Sequence, residues 1–190
     1  MSPAPWQHIS SRTLLDLSPW FSVVEDTLRL PGGRIVENYY RIEAPDSVLI
    51  HALLPNGKVL MERHYKQCLG RVVLTSPAGA VEEGETPLQA ARRELKEETG
   101  YEADLWQCMG GFKIDGTRGI STAHLFHAEA LRQAATPHPS DMEELELVFI
   151  GLDEILAAVQ NKEIVLLPDL AIIALASSDF FRGLFQKCET

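Results

Sequence analysis

The chain has 190 residues, 45% of them hydrophobic, which is enough to bury a core without disulfide or metal staples. Seventeen Lys and Arg against 27 Asp and Glu give a formal charge of -10, which argues against a broad nucleic-acid or anionic-membrane surface. The start, MSPAPWQHIS, has no basic stretch leading into an apolar core, and no apolar run reaches membrane-spanning length. Cys68, Cys108 and Cys188 are few, odd in number and without a CxxC pair, so reduced thiols and a cytoplasmic location are the expectation.

In chain order, the segment up to about Ser18 reads as a loose arm or a short helix around Thr13–Leu17. Trp20–Leu30 and Arg34–Glu43 are rich in β-formers and flank the turn Pro31-Gly32-Gly33, predicting an N-terminal β-hairpin. A second hairpin is predicted from Ser47–Leu54 and Lys58–Tyr65 around Asn56-Gly57. Its second arm ends in Glu62-Arg63-His64-Tyr65-Lys66, where Arg63 and Lys66 are candidate phosphate contacts. Arg71–Thr75 is a further short strand.

Pro87–Thr99 is predicted as a helix. Thr86 and Gln89 form a capping box, Pro87 fits a first helical position, and Gly100 supplies the stop. Glu94, Glu97 and Glu98 then fall at i, i+3 and i+4 on one face, beside an apolar face of Leu88, Ala91 and Leu95. By composition alone such a cluster reads as a solvated face. As a site, hard carboxylate oxygens without nearby imidazole or thiolate suit Mg2+, with Mn2+ as a substitute.

Past that helix, Leu105–Gly111 and Ser121–Ala130 read as strands. His124 and His127, three apart on a strand, point to opposite faces and are not a zinc pair. An acidic loop leads through Glu143 and Glu144 into a strand starting at Glu146. Helices are expected from Asp153 to Gln160 and from Pro168 to about Ser177. Phe181, Leu184, Phe185 and Cys188 have helical spacing and predict a packed stripe.

Gly79 is followed after five residues by Glu85, after seven more by Arg93, and then by Glu94, Leu95, Lys96, Glu97, Glu98, Thr99, Gly100 and Tyr101. The segment resembles the Nudix box, G-x5-E-x7-R-E-U-x-E-E-x-G-U, with Tyr101 at the last apolar position. The resemblance implies a Nudix-type α/β/α sandwich with a mixed sheet at residues 45–190, preceded by an N-terminal arm and hairpin at residues 1–44 that can build a homodimer. It also implies metal held by Glu94, Glu97, Glu98 and the Ala78 carbonyl, with Glu85 and Arg93 as an internal ion pair. Glu97, Glu98 and a loop carboxylate, Glu143 before Glu144, are the candidates for catalysis, and the base is not narrowed to one of them.

In such enzymes the hairpin can lend an aromatic ring to the partner's nucleoside pocket, for which Trp20, Phe21, Tyr39 and Tyr40 are candidates, although packing of the hairpin against the core is the more ordinary role for any one of them. The implied substrate is a nucleoside diphosphate linked to another moiety, with ADP-ribose or a nucleotide sugar closest in pattern. Where ADP-ribose enzymes commonly carry a proline past the box, this chain has Gly116, which keeps nucleotide sugars alongside ADP-ribose. A catalytically silent ligand sensor on the same fold is the other reading.

Overall fold

The computed structural model describes residues 3–138, 144–179, 183 and 186–188. It divides into two compact units, Met1–Asp46 with Lys113–Thr122, and Ser47–Phe112 with Ala123–Thr190.

The first unit is a three-stranded antiparallel sheet in the order β1 (Gln7–Leu17), β2 (Phe21–Arg29), β3 (Ile35–Glu43). The expected hairpin is β2–β3, and the arm before it is the added strand β1, neither loose nor helical. Every residue of β1 is exposed, so it carries no alternation of buried and exposed positions to betray it. Trp20 lies in the turn before β2 and is exposed. Asp26 anchors this sheet. Burial opposes its charge, but hydrogen bonds from Arg41 Nε (2.7 Å) and Ser11 Oγ (2.7 Å) outweigh that and hold its carboxyl below the usual range. Residues 113–122 join the unit through Ile42 N–H to the Arg118 carbonyl (2.9 Å) and Tyr39 Oη to the Thr117 carbonyl (2.5 Å).

The second unit is built on an eight-stranded mixed sheet of β4 (Ser47–Leu53), β5 (Val59–Lys66), β6 (Arg71–Thr75), β7 (Ala78–Ala80), β8 (Tyr101–Lys113), β9 (Thr122–Gln133), β10 (Glu146–Ile150) and β11 (Gln186–Lys187). The central path runs β10-β5-β4-β9-β8-β11, with β4 and β9 parallel from Ser47↔Ala123 to Ala52↔Ala128. Helix α1 (Pro87–Thr99) covers one face, where Val48, Ile50, Leu60, Leu95 and Phe126 share a buried cluster. Helices α2 (Leu152–Gln160) and α3 (Leu167–Ser177) belong to a second cluster with Leu49, Met61, Leu74, Leu125 and Ile172. Neighbouring residues of β4 enter opposite clusters, as a two-residue period requires of a sheet covered on both faces.

At the C-terminus the expected helical stripe is overturned where it is described. Gln186 and Lys187 pair with Cys108 and Gln107 of β8, and the backbone there extends the sheet. Phe181, Leu184 and Phe185 lie outside the described residues. Cys188 packs against the cluster under α1.

Candidate active site

The helix that carries the glutamates is fixed at both ends. The Gln89 N–H donates to the Thr86 hydroxyl and the Thr86 N–H donates to Gln89 Oε1 (2.8 Å), so the capping box is complete, with Pro87 at the first turn. Gly100 closes the helix in the left-handed region at φ 73°, and its carbonyl accepts from the Ala134 and Ala135 N–H groups (2.9 and 3.0 Å). Leu95, Ala90 and Ala91 are fully buried, which docks the helix on the sheet and sets the rotation of the glutamate face.

Arg93 organises that face. Its guanidinium grips Glu85 with two bonds, Nε to Oε1 at 2.9 Å and Nη2 to Oε2 at 3.0 Å, and also donates to the Ala80 carbonyl (3.0 Å). Nη1 reaches Glu94 (2.8 Å) and Glu97 (3.3 Å). The hydrogen bonds from Arg93 hold the Glu85 carboxyl below its usual range, and the carboxylates raise Arg93 further still. Glu98 is 6% exposed and accepts from the Ala78 N–H (3.2 Å). The Glu94 side chain crosses directly over Gly79, where a Cβ would collide with its carboxyl group.

Beside Ala78 and Gly79 the sheet opens. β4 and β5 pair only at Ala52↔Leu60 and Leu53↔Val59. Below that point β5 pairs with β6 (Glu62↔Thr75 to Lys66↔Arg71) and β4 with β7 (Ser47↔Ala80 to Leu49↔Ala78). In the wedge lies a cavity of about 230 Å³, lined by Glu62, His64 and Lys66 of β5, Thr75, Ser76, Ala78 and Gly79, and Pro168 and Asp169 of α3. His64 Nε2 and Thr75 Oγ1 are hydrogen-bonded at 3.0 Å. Asp169 accepts the Ser76 N–H (2.7 Å), which fixes the corner delivering Ala78; burial pushes its carboxyl up to about 6.

Glu94, Glu97, Glu98 and the Ala78 carbonyl are oxygen donors of the kind a hard divalent cation takes, and Gly79 leaves room for Glu94 among them. Among the described residues no three Asp, Glu, His or Cys side chains gather around one point. The carboxylates are instead turned onto Arg93 and the Ala78 N–H, which relieves their mutual repulsion.

The sequence matches the NUDIX domain over residues 44–170. The chain belongs to the Nudix family. Residues 6–42 match the nucleoside diphosphate sugar hydrolase N-terminal domain. Among its relatives, an ADP-ribose pyrophosphatase of Bacillus subtilis (strain 168) is 30% identical over 83% of this chain and 82% of its own length. A methanol dehydrogenase activator of Bacillus methanolicus is 30% identical over 73% of this chain and 75% of its own. The crystal structure of an ADP compounds hydrolase superposes with a TM-score of 0.82 over 97% of this chain and 98% of that one; at 20% identity this shows the Nudix fold.

On the Nudix frame, Glu85, Arg93, Glu94 and Glu97 form one hydrogen-bonded group, and Glu98, Ala78 and Gly79 adjoin it. Lys66 lines the cavity beside them. Arg63 does not, because it alternates onto the other face of β5 and meets Glu146, its cross-strand partner (3.3 Å), and Glu163 (3.4 Å). Trp20 belongs to the first unit. Glu143 lies outside the described residues, and Glu144 is exposed. Sequence reasoning missed Glu62, His64, Thr75 and Asp169. The alternation of Glu62, His64 and Lys66 along one strand was the available signal for the first two. Asp169 is 93 residues from Ser76 and had none.

Proposed function

We propose that this Nudix hydrolase cleaves the pyrophosphate of ADP-ribose or a nucleotide sugar, giving a nucleoside monophosphate and a sugar phosphate. The observation that carries the reading is the juxtaposition of Glu94, Glu97 and Glu98 with a cavity that Lys66 lines at Ala78–Gly79. The name of the Bacillus subtilis relative supports the substrate class.

A phosphoanhydride resists water because its oxygens repel a nucleophile, so a catalyst must neutralise charge and place the attacking water. Glu94 and Glu98, both largely buried, and Glu97 would hold Mg2+ together with the Ala78 carbonyl. When bound, the cation supplies charge neutralisation at the phosphoryl oxygens and acidifies water. Lys66 meets a further phosphate oxygen. Glu97, with 52% of its side chain exposed against 13% for Glu94, is the carboxylate best placed to orient water. Glu85 and Arg93 keep the loop on the helix. Glu143 remains in the proposal as a loop carboxylate.

We also infer a homodimer built by the first unit. Ile9, Leu14, Leu15 and Leu17 of β1 are exposed, as are Trp20 and Phe21, and a second copy covers such a face, with Trp20 offered to the partner's nucleoside. No described helix is long and apolar enough to cross a membrane. We assign the protein to the cytoplasm, with residues 1–44 as the association element and 45–190 as the hydrolase.

The test is incubation with Mg2+ and, separately, ADP-ribose, UDP-, GDP- and ADP-sugars and dinucleotides, with products resolved by chromatography. A mononucleotide released from one class names the branch. The relative named as a methanol dehydrogenase activator supports a second reading, in which the fold acts on another enzyme. Saturable binding without turnover of any compound selects a catalytically silent ligand sensor, the form in which such a regulatory role would be read.

A further inference from the structure

A second cavity, of about 350 Å³, lies between α1, β8 and β9, and its lining inverts the charge of the chain. Arg92 and Lys96 stand one turn apart on α1, and Arg132 comes from β9, with Arg93 at the edge. Four of the 17 cationic side chains of an acidic protein thus line one small space. Arg93 is committed to Glu85, Glu94 and Glu97. The other three are undercompensated. Lys96 and Arg132 share the single carboxylate of Glu102 (2.9 and 2.6 Å), while the contact of Arg132 Nε with Asp104 is long (3.6 Å) and exposed. Among the described residues Arg92 makes no ion pair. Lys and Arg carry three and five N–H donors, so the shared carboxylate leaves donors on both to meet a further anion.

Glu102 itself, Ala103 and Trp106 complete the wall. Trp106 is 7% exposed, and its indole N–H is spent on the Ala103 carbonyl (3.0 Å), so the ring contributes apolar surface. Cations that favour a dianion beside an apolar wall, in a space the size of a small molecule, suit a phosphorylated organic molecule.

We propose that this cavity binds a phosphate monoester, separately from the glutamates of the catalytic face. Arg92, Lys96 and Arg132 hold the phosphate and Trp106 borders the organic part. That both products of the hydrolysis proposed above are phosphate monoesters, which would make the site a product sensor, rests on that reading; the site itself does not.

The experiment is calorimetric titration of the full-length protein in EDTA at fixed ionic strength with AMP, ribose 5-phosphate and inorganic phosphate in separate arms. We expect AMP or ribose 5-phosphate to bind, and binding to weaken about tenfold or more in Arg92→Glu, as loss of one charge-assisted contact implies. Arg92→Glu/Arg132→Glu should weaken it further, and Lys66→Ala should leave it unchanged. Arg92 has no described ion pair to lose and touches none of the catalytic carboxylates, so Arg92→Glu should fold and keep its turnover. Absence of binding in both monoester arms, equal binding by Arg92→Glu, or loss of binding in Lys66→Ala would overturn the proposal. Failure of the hydrolase reading shows separately, as no turnover in the substrate panel.

Discussion

The Glu94 carboxyl group lies across the Cα of Gly79, so the glycine that opens the box is defined by what passes over it. The requirement is for space, since the backbone of Gly79 is not in the left-handed region. Gly79→Ala must therefore push Glu94 aside and off Arg93. Activity should fall by about 100-fold, roughly 2.7 kcal/mol of transition-state stabilisation, while far-ultraviolet circular dichroism stays that of the wild type. Retained activity would mean that Glu94 is free to relocate.

Arg93 binds four groups at once, and lysine cannot reproduce its planar fork on Glu85. Arg93→Lys should cost about 1–3 kcal/mol in urea unfolding and most of the activity. Glu85→Gln should lose comparable stability with a smaller loss of rate, because it leaves Glu94 and Glu97 on the guanidinium. Equal rate losses in the two variants would show that the loop, and not the carboxylate arrangement, limits catalysis.

Asp169 has a pH signature. Its carboxyl titrates near 3.8 in an unfolded chain and near 6 when folded, so between these values the native state keeps a proton that the unfolded state has released. Its contribution to stability is therefore greatest below about pH 4 and declines up to about pH 6, by roughly 3 kcal/mol in all. Asp169→Asn removes this slope. The quantity to measure is the difference in unfolding free energy between variant and wild type, in EDTA, at pH 4, 5, 6 and 7. It should rise in favour of the variant up to pH 6 and then level off, whereas a flat difference would contradict the burial argument.

If β1 forms the dimer face, a charge at Leu15 or Ile9 should separate the protomers. Light scattering after size exclusion should give twice the chain mass for the wild type and the chain mass for Leu15→Asp. A monomeric wild type would remove the association role assigned to the first unit.

The parts legible in the sequence were those set by local chemistry. Thr86, Gln89, Pro87 and Gly100 placed both ends of α1, Asn56-Gly57 placed the β4–β5 hairpin, and the fixed spacing from Gly79 to Tyr101 named the box. What was not legible depended on distant residues. β1 buries neither face, so its pattern resembled an arm. β7 is a strand only because Ala78–Ala80 meets β4. Arg63 and Lys66 looked equivalent on one strand end, yet Glu146 and Glu163 draw the first away while the splay of β4 from β5 opens a cavity at the second. The C-terminal apolar spacing read as a helix, and pairing with β8 overrode it at Gln186–Lys187.

Whether the protein cleaves a pyrophosphate can be read from the 31P spectrum of ADP-ribose incubated with Mg2+ and the wild-type protein, beside EDTA and Glu98→Gln controls. Pyrophosphate hydrolysis gives loss of the diphosphate signals and growth of two monophosphate signals, AMP and ribose 5-phosphate, with both controls slowed by at least about 100-fold. Unchanged diphosphate signals there, and with every nucleotide sugar in the panel, would contradict it.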